Sequence, residues 1–458
     1  MPQIPRTVAL LLGPVVALLC GAGLSMAGLE APAAITGAVT ALCVVWWILE
    51  PIPIPVTSMM PLALLPLLGV LSAREVSAAY GDKLVLLLLG GFILSTAVAG
   101  SGAHRRLALN MVRLFGGASP RRLVFGFMAA SALLSMWISN TATSLMLLPV
   151  ALAVLENARD RALAIPLLLG IAYAASIGGI GTPIGTPPNA EFIAVYEREF
   201  GEEISFFRWM QMGLPLVLVM LPLAGLWLTR SLKASEPIEI PEVGEWTTHE
   251  RRVIIVFATT ALAWVTRREP FGGWSGLLNL PGANDAAVAL IAVAAMFIVP
   301  NGKGGRLLDW ETANKIPWGM LILFGAGLSI ATAFRESGLS ESLAGGLTVL
   351  QHVHPVLLIL TICVMVTLLT ESTSNTATTA LLMPILAAAS VAADIDPLLL
   401  MVPAAMSASC AFMLPVATPP NIVVSSTGLI PIRRMVREGL LLNLIGVLAI
   451  TGVVYLLV

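Results

Sequence analysis

Eleven apolar stretches of near-spanning length recur along the chain, near residues 8–27, 34–50, 54–72, 84–101, 164–195, 213–229, 252–267, 285–300, 316–334, 397–427 and 439–457. A helix needs roughly 20 apolar residues to cross the hydrocarbon of a bilayer, so each is a candidate crossing. Two further apolar regions, 119–158 and 353–393, are each interrupted midway by the polar string SNTAT. Backbone left unpaired at membrane depth is tolerated only where it lines a protein cavity, so a polar break of this kind predicts two half-helices folded back on themselves. The expected fold is an all-α polytopic membrane protein with about eleven transmembrane helices and two re-entrant helical hairpins.

The first stretch, after Arg6, has the look of a signal peptide, but it is long enough to span and other spans follow closely. It reads as a retained first transmembrane helix, placed at 1–33. Lysine and arginine favour cytoplasmic loops, and this tests the count. Arg105, Arg106, Arg113, Arg121 and Arg122 occur with no acid between Ser101 and Arg122, which puts that segment in the cytoplasm. The later loops then alternate. Glu197, Glu199, Glu202 and Glu203 fall outside, Arg230 to Arg252 inside, Arg267 to Pro281 outside, and Lys303, Arg306 and Lys315 inside. Asp394 and Asp396 fall outside, and Arg433, Arg434 and Arg437 inside. The N-terminus is therefore expected in the cytoplasm and the C-terminus outside, with the first hairpin entering from inside and the second from outside.

The two polar breaks are related. SNTATSLMLLPV from Ser139 matches SNTATTALLMPI from Ser374, 235 residues on, and GTPPNAEF from Gly185 matches ATPPNIVV from Ala417, with the two TPPN threonines 232 residues apart. Two motif pairs in the same order at a nearly constant offset indicate a duplication, with halves at 34–235 and 236–458. The charge pattern gives the halves opposite orientations. That is an inverted-topology repeat, in which substrate and ion sites lie near the midplane where the repeats meet.

Composition agrees and narrows the classes. The 458 residues are 57% hydrophobic and 11% charged, against about a quarter charged in a soluble domain. A net charge of −1 leaves no basic footprint for nucleic acid. Cys20, Cys43, Cys363 and Cys410 lie in apolar runs without CxxC pairing, as small core residues do. No HExxH, GxSxG or membrane-depth histidine supports a hydrolase, and His104, His249, His352 and His354 fall in loops or interfaces. No nucleotide-binding motif supports drive by ATP. A channel filter could be imagined from the TPPN carbonyls, but two re-entrant tips in an inverted repeat fit alternating access better.

The motifs have their own chemistry. Each SNTAT stands just before an apolar helical run, where its serine, asparagine and threonine can cap the helix and leave N–H groups facing a cavity that attracts anions. The paired prolines of TPPN remove amide donors, which predicts unpaired carbonyls at Gly185, Thr186, Ala417 and Thr418, suited to a hard cation such as sodium. No lysine or arginine lies within the four motifs, so a bound cation would supply the positive charge an anion needs. Glu371 is an intramembrane acid, either structural or coupling; its counterpart in the first half is Met136. Glu50 is expected at a membrane surface.

The paired SNT and TPPN motifs, with the run GDKLVLLLLGGFIL from Gly81, resemble the divalent anion:sodium symporter family over essentially the whole chain. The resemblance implies a plasma-membrane homodimer in contact with lipid, each protomer having a scaffold part and a transport part that moves as an elevator. It implies a sodium site from Ser135, Ser139, Asn140 and the Gly185 carbonyl, and a second from Thr370, Ser374, Asn375 and the Ala417 carbonyl. Substrate carboxylates would meet Asn140, Thr141, Asn375 and Thr376, with Thr186, Pro187, Thr418 and Pro419 lining the floor. The expected activity is sodium-coupled symport of C4-dicarboxylates such as succinate, malate or fumarate, with no organic cofactor and no enzyme chemistry. The alternatives are a sodium-independent dicarboxylate exchanger, in which a basic side chain replaces the cation, or a sulfate or citrate symporter.

Overall fold

The structure, a computed structural model, describes residues 5–115, 119–157, 161–232, 244–342 and 353–458. The boundary expected between the halves at 235/236, and His352, lie outside the described residues. Described secondary structure is helical apart from an isolated bridge between Pro300 and Arg306. Among the described residues seven helices are long and apolar enough to cross a bilayer, including Arg6–Met26, Ala31–Leu49, Phe206–Thr229, Trp318–Glu336, Asn375–Ala393 and Ile432–Leu457.

Burial grades these helices. Arg6–Met26 leaves Leu11, Leu18 and Leu19 about 70% exposed, an apolar surface unlike that of a helix facing water. Ala164–Gly179 is buried at every position from Pro166 to Gly179 and sits at the centre. A methyl group on Gly178 would overlap the backbone of Ala132, so glycine is what lets this helix pack directly on its neighbour Pro120–Ser135.

Each SNTAT break forms a helical hairpin. The first runs through Pro120–Ser135 and returns as Asn140–Asn157; the second runs through Pro355–Thr370 and returns as Asn375–Ala393. At 1.5 Å per residue the arms are about 24–29 Å long, and the longest of them, Asn375–Ala393, is itself one of the seven helices long enough to cross.

The stretch 54–72 resolves into the short helices Ile54–Thr57 and Met60–Leu67, and two more stretches read from hydropathy as single crossings are broken at the TPPN motifs. The first broken helix is Ala164–Gly179 followed, after a non-helical loop, by Pro187–Phe200. The second is Pro397–Ala408 followed by Pro419–Ser425. In both, the first TPPN proline is the first residue of the new helix. The prolines therefore start a helix rather than prevent one, because a missing N–H costs nothing where that N–H has no intrahelical partner. The TPPN asparagine ties the loop behind it. Asn189 Nδ2 donates to the carbonyls of Gly179 and Thr182 at 2.9 and 2.7 Å, and Asn421 Nδ2 to those of Ala411 and Leu414 at 3.1 and 3.0 Å.

The two broken helices meet at these breaks, where the Tyr173 hydroxyl donates to the Phe412 carbonyl at 2.8 Å. Ion pairs fasten the periphery. Buried Arg267 bonds Glu203 and Asp285, each at 2.5 Å, and Arg230 meets Glu438 through two hydrogen bonds of 2.8 and 3.0 Å.

Candidate functional site

Both hairpin tips and both TPPN breaks open onto one cavity of 690 Å³. The structure brings Ser139, Asn140, Thr141, Gly185, Thr186 and Pro187 to its wall from the first half, and Ser374, Asn375, Thr376, Ala417, Thr418 and Pro419 from the second. Ser135 and Thr370 are fully buried, one layer behind. Phe92, Ile184, Met320 and Val416 give the cavity an apolar flank.

Three helices of 14 residues or more, Asn140–Asn157, Pro187–Phe200 and Asn375–Ala393, begin at this cavity. A helix N-terminus presents unpaired N–H groups and a partial positive charge, so their convergence makes a neutral wall attractive to an anion. Ser139 Oγ accepts from the Ala142 amide at 3.2 Å, whereas Ser374 makes no capping bond with its side chain.

Oxygen-rich pockets lie behind the tips, in matching positions. One end of the Asn140 carboxamide lies 2.5 Å from Ser135 Oγ, 3.2 Å from the Gly185 carbonyl oxygen and 3.3 Å from that of Ala175. With the amide nitrogen at that end, Asn140 donates to all three; with its oxygen there, four oxygens converge, the donor set of a hard cation. In the second half Thr370 Oγ1 lies 2.8 Å from Asn375 Oδ1 and 2.9 Å from the Ala408 carbonyl oxygen. Ala175 and Ala408 were missed by the motif reading, since an alanine contributes only its backbone. They stand 233 residues apart, one off the 232 that separates the TPPN motifs, so extending the motif match backwards pairs Ala175 with Ser407 instead.

The expected carbonyls need correction. Those of Thr186 and Thr418 accept from Asn189 N and Ile422 N at 3.2 and 3.1 Å, so they are paired within the new helices. Only the Gly185 and Ala417 carbonyls remain of the four as candidate cation ligands.

Charge enters at the rim. Lys315 and Glu50, both exposed, line the cavity mouth. Neither residue stands in an SNTAT or TPPN motif, so the motif reading gave them no place at the cavity.

Glu371 lies behind the second tip, 5% exposed. Its Oε1 accepts from the amides of Phe412 and Met413 and from Asn443 Nδ2 at 2.8, 2.9 and 2.7 Å, and its Oε2 from the Leu414 amide at 3.0 Å. Four donors satisfy the carboxylate and tie the tip to the second break. Among the described residues no cluster of histidine, cysteine, aspartate and glutamate is built to hold a metal ion.

Paired hairpins and broken helices around one cavity, with helix termini in place of a catalytic nucleophile and base, define a helical membrane transporter. The chain belongs to the citrate transporter family, CitMHS, whose model matches residues 44–402. It is 39% identical to the sodium-dependent dicarboxylate transporter SdcS of Staphylococcus saprophyticus subsp. saprophyticus over 481 aligned residues, covering 100% of this chain and 92% of that one. It is also 39% identical to SdcS of Staphylococcus aureus strain NCTC 8325 / PS 47, covering 91% and 84%. In fold it is similar to the YdaH transporter of Alcanivorax borkumensis, with a TM-score of 0.56 at 16% identity over 83% of this chain and 87% of that one. The Neisseria gonorrhoeae efflux pump MtrF is similar too, with a TM-score of 0.58 at 14% identity over 84% and 82%. The protein is an integral membrane transporter and not an enzyme.

Proposed function

We propose that the chain is a sodium-coupled symporter of C4-dicarboxylates. The observation that carries this reading is the single cavity onto which two hairpin tips and two TPPN breaks open, with oxygen-rich pockets behind both tips. Asn140, Thr141, Asn375 and Thr376 are the groups for the substrate carboxylates, with Thr186, Pro187, Thr418 and Pro419 as the floor. Ser135, Ser139, Asn140 and the carbonyls of Gly185 and Ala175 hold one sodium ion. Thr370, Ser374, Asn375 and the carbonyls of Ala408 and Ala417 hold the other. The names of the staphylococcal relatives support both ligands.

The halves 34–235 and 236–458 form an inverted repeat, the N-terminus lies in the cytoplasm and the C-terminus outside. The cavity mouth bearing Lys315 then faces the cytoplasm. Alternating access proceeds by movement of the hairpins and broken helices against the remaining helices, as an elevator, in a homodimer within the plasma membrane. Lys315 favours one second reading, sodium-independent exchange, because it offers a dianion a fixed cation at the rim.

Proteoliposomes holding the purified protein separate the two. Uptake of labelled succinate should require an inward sodium gradient, fail in potassium or choline, and need no internal substrate. Uptake that ignores sodium and requires preloaded dicarboxylate would establish the exchanger.

A further inference from the structure

Glu191 is an acid the transport site does not use. It sits on Pro187–Phe200, the helix whose first residue lines the cavity, and it is completely buried with neither carboxyl oxygen hydrogen-bonded to the protein. Its Oε1 packs against Gly327 of the Trp318–Glu336 helix, where a methyl group would overlap it. The equivalent position after the second TPPN is Val423, so the acid belongs to the first half alone.

The surroundings offer no counter-charge. The Asn375–Ala393 and Pro397–Ala408 helices, packed on the same element, contain no titratable residue. Arg335 of the Trp318–Glu336 helix is engaged by Glu199 and Glu336, and Lys83 of the Lys83–Ser101 helix by Glu197. Arg198 donates to the Leu328 carbonyl. The charge whose field does reach Glu191 is that of Asp82, another acid. The hydroxyls of Ser329, Thr332 and Thr379 are spent on carbonyls of their own helices. An ionised carboxylate without hydrogen bonds or a partner costs far more to bury than a neutral acid.

We infer that Glu191 is a proton-binding site of the transport cycle: it holds a proton while its helix is docked on Gly327, and yields it to water when the two helices part. The inference rests on the elevator reading above, because that movement is what separates the Pro187–Phe200 and Trp318–Glu336 helices. Proton occupancy would then favour the docked conformation, and the substrate site would be tied to it through one rigid helix.

The test uses purified wild type and Glu191→Gln in the same lipid vesicles. Infrared spectra should show a protonated-carboxyl C=O band in the wild type that Glu191→Gln loses, a readout that survives if the variant does not transport. Sodium-driven succinate uptake, measured above the pH at which succinate is fully ionised, should vary with pH in the wild type and lose that variation in Glu191→Gln. A band that the substitution leaves unchanged would mean that Glu191 is ionised and would overturn the proposal. An active Glu191→Gln with the wild-type pH profile would overturn it as well. Absence of sodium-driven uptake in the wild type would instead sink the functional reading, while the infrared band still reports on Glu191.

Discussion

Single residues divide the work of the site by their reach. Asn140 and Asn375 face the cavity with one side and the oxygen pockets with the other, so on the proposed reading each would stand between anion and cation. On that reading, replacing either with alanine would remove a cation ligand and a substrate donor together. The expected outcome for Asn140→Ala and for Asn375→Ala is loss of sodium-coupled succinate uptake, with monodisperse elution of the purified variant unchanged. Uptake at the wild-type rate in either variant would remove that residue from the mechanism. These asparagines were legible in the sequence because the SNT string is polar within an apolar run. Ala175, Ala408 and Lys315 were not. The alanines act through carbonyls that any residue would offer, and Lys315 reaches the cavity only through tertiary packing. Glu191 was not legible for a related reason: it shares the Pro187–Phe200 helix with Glu197, Arg198 and Glu199, and its lack of partners is a property of the neighbouring helices.

At the scale of elements, hydropathy marks where helices cross but not where they break. The loops IGTPIGT and SCAFMLPVAT contain almost no charge or strong polarity, so 164–195 and 397–427 read as single spans although each is two helices. The breaks survive at membrane depth because their backbone groups find internal partners. In the second break Glu371 supplies acceptors to three consecutive amides. Glutamine at this position keeps the shape but replaces one acceptor oxygen with a donor, which must then face an N–H. Leaving a buried polar group unsatisfied costs about 1–3 kcal/mol. Glu371→Gln should therefore lower the melting midpoint of the detergent-solubilised protein, without the selective loss of sodium dependence expected of a coupling residue. A variant that melts with the wild type would show that the clamp contributes nothing, and would return Glu371 to the list of candidate coupling groups.

At the scale of the whole molecule, charge is what would couple the two ligands. A dicarboxylate brings two negative charges to a cavity whose motif residues are neutral, with helix termini and, at the rim, Lys315 as the positive features. Sodium in the adjoining oxygen pockets would supply what these lack. Binding free energies are reciprocal, so a cation that strengthens substrate binding is itself bound more tightly when substrate is present. Any ligand of the folded state also stabilises it, by about 2.7 kcal/mol at a hundredfold excess over Kd. Succinate should consequently raise the melting midpoint strongly in sodium and weakly in potassium at equal ionic strength, and the sodium concentration needed for half of the effect should fall as succinate rises. Equal shifts in the two salts would mean that helix termini and Lys315 hold the dianion unaided. The oxygen pockets behind Asn140 and Asn375 would then be satisfied by turned amides rather than by cations, and exchange would become the better account of the fold.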